Sequence, residues 1–188
     1  MTTTTGRTAR RTPVAAPASR AVILAVLAAV VTFSTEHRPA YRVELGIVAL
    51  GVFLLGQAVL LAAWSPRLAS TRTGLALLVA RASVSLLGAV LLLAAPGGGI
   101  DVLRPVQVLV FLVVGGLEVL GALLRAEGPD AFGDGIVIGG LQVVVGLMVV
   151  ILDPDVAFSV GVLSAWAALS AVYLGIAAAN LHVKRSRA

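Results

Sequence analysis

The sequence contains no cysteine, few charged residues and few aromatic residues. The absence of cysteine excludes disulfides, thiolate metal sites and a cysteine nucleophile. Its two histidines, His37 and His182, lie near opposite ends of the chain, so they do not suggest a shared metal site or a nucleophile–base pair. We therefore expect a protein that is not an enzyme and that binds neither a metal nor a cofactor.

Charged residues are also few, and they cluster at the ends of the apolar runs. Charged residues make up 12% of the chain, against about 25% in a typical soluble domain. The formal net charge of +5 does not indicate nucleic-acid binding, because the charges cluster at the ends of apolar runs and no basic stripe alternates with aromatics. With 59% hydrophobic residues and a mean hydropathy of +1.04, the expected surroundings of the chain are a lipid bilayer.

Six apolar runs follow one another, separated by short loops. A helix needs about 20 apolar residues to cross a hydrocarbon core of about 30 Å. Five runs reach that length, and the first is marginal. We therefore predict an all-α membrane protein with six transmembrane helices. A cleaved secretory signal, with Arg10 and Arg11 as a weak twin-arginine pair, is the alternative interpretation of the first run. The predicted runs are 20–34, 43–64, 73–95, 105–125, 135–152 and 155–181.

The loop charges predict an orientation. Residues 1–19 are rich in Thr, Arg and Pro and are expected to form a disordered tail, and residues 185–188 a short basic tail. Ten Arg and Lys residues fall on the side of both tails and three on the other side, so both termini are predicted to be cytoplasmic. Thirteen Arg against one Lys, with abundant Ala, Val, Leu and Gly, is typical of a high-GC bacterium, which indicates the bacterial inner membrane.

The sequence also repeats itself at about 58 residues. The intervals from Gly88 to Pro96 and from Gly146 to Pro154 are the same, and each closes an apolar run. Because each copy holds two runs, the repeat predicts three parallel helical hairpins. These hairpins are 20–66, 74–126 and 132–184.

The unit that begins with Arg81 and SLLGAVLLLAAPGGG and ends with LVFLVVGGLEVLGALLR resembles the HdeD-type acid-resistance membrane protein family, which has a short membrane repeat. The resemblance covers residues 74–184 and, more loosely, 20–66. It implies six membrane helices, no catalytic residue and a link to acid or envelope stress. The matching residues are Arg81, Gly88, Pro96, Gly116, Glu118 and Arg125.

A layer of polar residues is predicted inside the membrane. Arg81 and Glu118 are each seven or eight residues from the cytoplasmic end of their runs, or about 10–12 Å deep. Their runs are consecutive and antiparallel, so we predict an ion pair between them. Gln57, Gln142 and Tyr173 fall at a similar depth.

Two interpretations of this layer stay open. It either fixes the packing of the helices by interhelical hydrogen bonds, or it provides a titratable Glu118 in a proton or small-ion path, as part of a small transporter or channel. The segment GIVIG at 135–139 has the spacing of small residues typical of close helix contacts, within one chain or between two. A homo-oligomer or a membrane-protein partner is therefore open as well.

Two further residues have two interpretations each, and each of the two tryptophans has one. His37 is expected to be a solvated loop residue, with sensing of external acid as the alternative. Asp153 is expected to cap the sixth helix, with a divalent-cation site shared with Asp155 as the alternative. Trp64 is predicted to anchor a helix end at the membrane interface, and Trp166 to pack inside the bundle.

Overall fold

The structure, a computed structural model, describes residues 15–37, 42–69, 71–125, 132–152 and 155–186. This part of the chain forms six helices and contains no strand, as predicted from the apolar runs. The helices are α1 Ala15–His37, α2 Arg42–Leu68, α3 Arg72–Ala94, α4 Gly99–Leu123, α5 Phe132–Ile151 and α6 Val156–Ser186.

Helices α2 to α6 are each long and apolar enough to cross a membrane. The apolar part of α1, Pro17–Phe33, is shorter and falls below the length of a full span. Five of the six predicted transmembrane helices therefore have the length and hydropathy of a span, and the span predicted in the marginal first run stays a prediction. The chain is therefore a multi-pass helical membrane protein.

Several helices extend beyond the predicted runs. α4 begins at Gly99, so Pro105 lies inside the helix, where it removes one backbone N–H donor. α2 continues through Pro66 to Leu68. α1 begins at Ala15, so residues 15–19 are helical rather than part of the predicted tail; residues 1–14 of that tail lie outside the described residues.

The six helices form a closed ring rather than an open row. The most extensive packing joins α4 to α5, α2 to α3, and α1 to α6, and each helix also touches its neighbours in sequence. Between α1 and α6, the Thr32 and Ser164 hydroxyl oxygens are 2.6 Å apart. These three pairs cross the boundaries of the predicted hairpins 20–66, 74–126 and 132–184, so the hairpin repeat stays a prediction.

Aromatic side chains fill the middle of the ring. Trp166 on α6 is buried and contacts Phe53 of α2 edge-on, with ring centroids 5.5 Å apart. It also packs against Phe111 of α4 at 4.7 Å. Trp166 is thus a packing residue, as predicted. In lipid, such contacts stabilise the bundle through dispersion, since the alternative surroundings are equally apolar.

Glycines allow α4 and α5 to approach backbone to backbone. A methyl group added at Gly139 would lie 2.7 Å from the Gly115 carbonyl oxygen, and one added at Gly115 would lie 2.8 Å from the Gly139 oxygen. One turn away, a methyl at Gly135 would meet the Ala122 Cβ at 2.8 Å. The small-residue segment 135–139 therefore makes its close contact within this chain.

Candidate functional site

Three charged side chains from three helices meet near one end of the bundle. The Arg81 Nη2 atom lies 2.9 Å from the Glu118 Oε1 atom, so the ion pair predicted between α3 and α4 is present. Arg20 of α1 donates to the same carboxylate, with Nη1–Oε1 at 2.9 Å and Nη2–Oε2 at 3.3 Å. We call Arg20, Glu118 and Arg81 the ion triad.

The ion triad is almost sealed. The side chains of Arg81 and Glu118 are 1% and 4% exposed, whereas that of Arg20 keeps 24%. Within the described residues, Arg81 and Glu118 are the only buried charged side chains. A charge at this depth costs several kcal/mol when it is alone, so the pairing offsets most of that cost.

Helix geometry and glycine packing place the triad. On α3, Arg81, Ser85 and Gly88 are buried at helical spacing and so share one face. A methyl group added at Gly139 of α5 would lie 3.0 Å from the Cβ atom of Glu118 on α4. The close crossing of α4 and α5 therefore packs α5 against the Cβ end of the Glu118 side chain.

Sequence reasoning missed Arg20 as a site residue because it is the first residue of the first apolar run, 20–34, where a basic residue ordinarily flanks a membrane span. It belongs to the second turn of α1 and reaches inward to Glu118. The sequence does contain a regular spacing that relates Arg20 to the other residues of the polar layer. Arg20, Arg81 and Gln142 follow one another at intervals of 61 residues, and Gln57 and Glu118 are separated by the same interval.

The two glutamines of the predicted layer lie next to the triad and do not belong to its ion pairs. Gln57 and Gln142 are 6% and 1% exposed. With Arg20 and Trp166 they line a cavity of about 10 Å³ between α1, α2, α5 and α6. The structure therefore gathers Gln57, Arg81, Glu118 and Gln142 around Arg20 into one polar region.

Tyr173 stands apart from this region. It is partly buried against the hydrophobic core, and its hydroxyl interacts with Asp134 in the first turn of α5. A methyl group at the neighbouring Gly133 would lie 4.0 Å from that hydroxyl. Tyr173 thus belongs to the end of the α5–α6 contact rather than to the ion triad.

A further buried polar contact was also missed. The Gln107 side chain of α4 donates to the Ser159 backbone oxygen of α6 at 3.4 Å, and both residues are fully buried. Gln107 lies three turns before Glu118 on the same helix. Polar groups therefore join α4 to other helices at two levels of the bundle.

The predicted cap of the sixth helix is shifted by two residues in the structure. Asp155, rather than Asp153, caps α6, because its Oδ1 atom accepts from the Phe158 backbone N–H at 2.8 Å. Asp153 lies outside the described residues, as does the side chain of His37.

Trp64 lies near the end of α2 with the Arg67 guanidinium 5.7 Å from its ring centroid, which fits an interface position. Among the described residues, no group of three His, Asp or Glu side chains could hold a metal.

The chemistry available at the triad is ionic rather than nucleophilic. Two guanidinium groups and one carboxylate give a formal charge of +1, and Arg stays protonated at any physiological pH. The site can therefore fix three helices. Comparison with protein-family models, with curated proteins and with solved structures finds no match to this chain, so the resemblance to the HdeD-type family stays a prediction.

Proposed function

We propose that this chain is a non-enzymatic scaffold protein of the bacterial inner membrane, of the HdeD-like kind, that supports the cell under acid or envelope stress. In this proposal both termini are cytoplasmic, as the loop charges predict. The observation that supports it best is the seal around Glu118, whose side chain is 4% exposed and bound from two sides by arginines. A proton path would require water to reach that carboxylate, so the seal favours a structural role for the triad.

Arg20 supports the same conclusion from its position. It ties α1, the helix whose apolar part is shortest, to α4 through two hydrogen bonds. A short helix gains less from the bilayer than a full span does, so an ionic contact to the bundle contributes more to its placement. The triad thus links α1, the helix with the shortest apolar part, to both α3 and α4.

The alternative is a small proton- or ion-coupled transporter or channel component. The observation that favours it is the 24% exposure of the Arg20 side chain, which leaves one member of the triad within reach of solvent. In that case Glu118 would change protonation during transport.

The Glu118→Gln variant separates the two functions, with Glu44→Gln on the exposed start of α2 as the matched control. In the scaffold function, Glu118→Gln unfolds more easily by about 3–5 kcal/mol, because two arginines lose their counter-ion. Proteoliposomes of wild type and variant then show no proton flux above empty liposomes under an imposed pH gradient. A wild-type flux that disappears in Glu118→Gln would establish the transporter instead.

The stress role is tested in cells. A strain that lacks this protein should survive acid challenge less well, and the Glu44→Gln variant should restore survival while Glu118→Gln should not. Equal survival of the deletion strain and its parent would refute the stress role.

A further inference from the structure

A groove runs along the outer surface of the bundle between α2 and α3, and we call it the α2–α3 groove. It has a volume of about 440 Å³, which is within the usual range of ligand sites. Its floor is buried and its rims are exposed. The floor includes Ala58, Leu61 and Leu78, and the rims include Val59, Val79 and Leu86.

The groove is shaped like a narrow furrow because small side chains lie between its rims. These are Ala62 on α2, and Ala82 and Ser83 on α3. The furrow follows residues 58–65 of α2, which is about 10 Å along the helix. One leaflet accounts for about 15 Å of the hydrocarbon core. The groove therefore has the length and the apolar lining to hold a lipid acyl chain within one leaflet.

Two arginines stand at the end of the groove where α2 ends and α3 begins. Arg67 and Arg72 are both exposed, and neither forms an ion pair with another described residue. The sequence has no acidic residue between Glu44 and Asp101. Those two lie at the opposite end of the bundle, in the first turns of α2 and α4. An anionic group beside Arg67 and Arg72 would therefore balance charges that these two helices leave unbalanced.

Trp64 indicates the depth of these charges in the bilayer. The Arg67 guanidinium lies 5.7 Å from the centroid of the Trp64 ring, and tryptophans of membrane proteins are enriched at the level of the lipid headgroups. Ser65, at this end of the groove, is only two residues before Arg67. A lipid whose chain lies in the groove would therefore have its phosphate at the level of the guanidinium.

The charges also distinguish a lipid from a second copy of this chain. A second copy in the same orientation would bring its own Arg67 and Arg72 to the same level, and like charges across an interface are unfavourable. A zwitterionic lipid carries a cation next to its phosphate. An anionic phospholipid supplies both an apolar chain for the groove and a net negative charge for the arginines.

From these observations we propose that the α2–α3 groove binds one anionic phospholipid. Its acyl chain lies along Ala62 and Ala82, and its phosphate lies between Arg67 and Arg72. In the orientation proposed above, this lipid belongs to the cytoplasmic leaflet, where anionic lipids attract basic residues. The inference goes beyond the scaffold function, because it adds a specific lipid ligand to the bundle.

The test is a lipid titration of the purified full-length protein in a neutral detergent, read as the midpoint of thermal unfolding. Dioleoylphosphatidylglycerol should raise the midpoint of wild type saturably, and dioleoylphosphatidylcholine should have a much weaker effect. Arg67→Gln and Arg72→Gln should each require about fivefold more phosphatidylglycerol, which is the contribution of one basic residue near an anionic surface. Arg125→Gln removes an exposed arginine from the same end of the bundle but outside the groove, and it should titrate like wild type.

A second pair of variants tests the groove itself. Ala62→Leu places a larger side chain in the groove and should lose the saturable rise. Ala63→Leu is the matched control, because Ala63 is also exposed and lies outside the groove. Equal titrations of these two variants would overturn the proposal and indicate a general attraction between a basic protein and anionic micelles. An equal rise with phosphatidylcholine, or with inorganic phosphate alone, would overturn it as well.

Discussion

The contact between Gly115 and Gly139 offers the sharpest test of how this bundle is held together. The Gly139→Ala variant adds a single methyl group, which would lie 2.7 Å from the Gly115 carbonyl oxygen and 3.0 Å from the Glu118 Cβ. Ordinary contact begins at 3.4 Å. The two helices must therefore separate by about 0.7 Å at their crossing, since a backbone oxygen cannot move aside as a flexible side chain does.

The magnitude follows from the tight packing. Adding a methyl group to a filled interface costs about 1–3 kcal/mol, and we expect Gly139→Ala to fall in the upper half of that range because the obstacle is backbone. Gly140 provides a control one residue away on the same helix. A methyl group there meets nothing within 4 Å, so Gly140→Ala should be neutral or slightly stabilising, given the better helix propensity of alanine.

The assay is equilibrium unfolding in mixed micelles with increasing denaturing detergent, followed by far-ultraviolet circular dichroism. Gly139→Ala should unfold at a clearly lower detergent fraction than both wild type and Gly140→Ala. If the two alanine variants have the same stability, the close crossing of α4 and α5 is not what limits this bundle, and the reasoning from glycine contacts fails.

Three further predictions concern single contacts, each read by the same unfolding assay. Thr71→Ala should lower stability by about 1 kcal/mol, because the Thr71 hydroxyl caps α3 by a 2.9 Å hydrogen bond. Thr32→Val and Ser164→Ala should show a coupling of about 0.6 kcal/mol in a double-mutant cycle, the average for interhelical hydrogen bonds in membranes; additive effects would mean that their 2.6 Å contact does not join α1 to α6. Gly88→Ala, whose methyl would lie 2.7 Å from a Val110 methyl, should cost about 1–3 kcal/mol, whereas Gly175→Ala, with open space around it, should not destabilise the protein.

Part of the candidate site could be predicted from neighbouring segments alone. Arg81 and Glu118 lie on consecutive antiparallel helices at equal depth, so their pairing needed only the hydropathy pattern and the rise of a helix. Arg20 could not be placed in that way. Its partner is 98 residues away along the chain, and a charge at the start of an apolar run is ordinarily a solvated flanking residue.

What the sequence by itself determined is the membrane setting and the helices, because lipid requires every backbone group to bond within its own segment. That requirement acts on each apolar run separately, so each helix can be predicted from its own run without knowledge of the helices that pack against it. The tertiary structure decided which helices pack most closely, the closure of the ring between α1 and α6, and the inward reach of Arg20. The physical reason is that close steric fit, such as that of Gly115 against Gly139, determines which helices pack together in lipid. This fit depends on residues that are far apart in sequence.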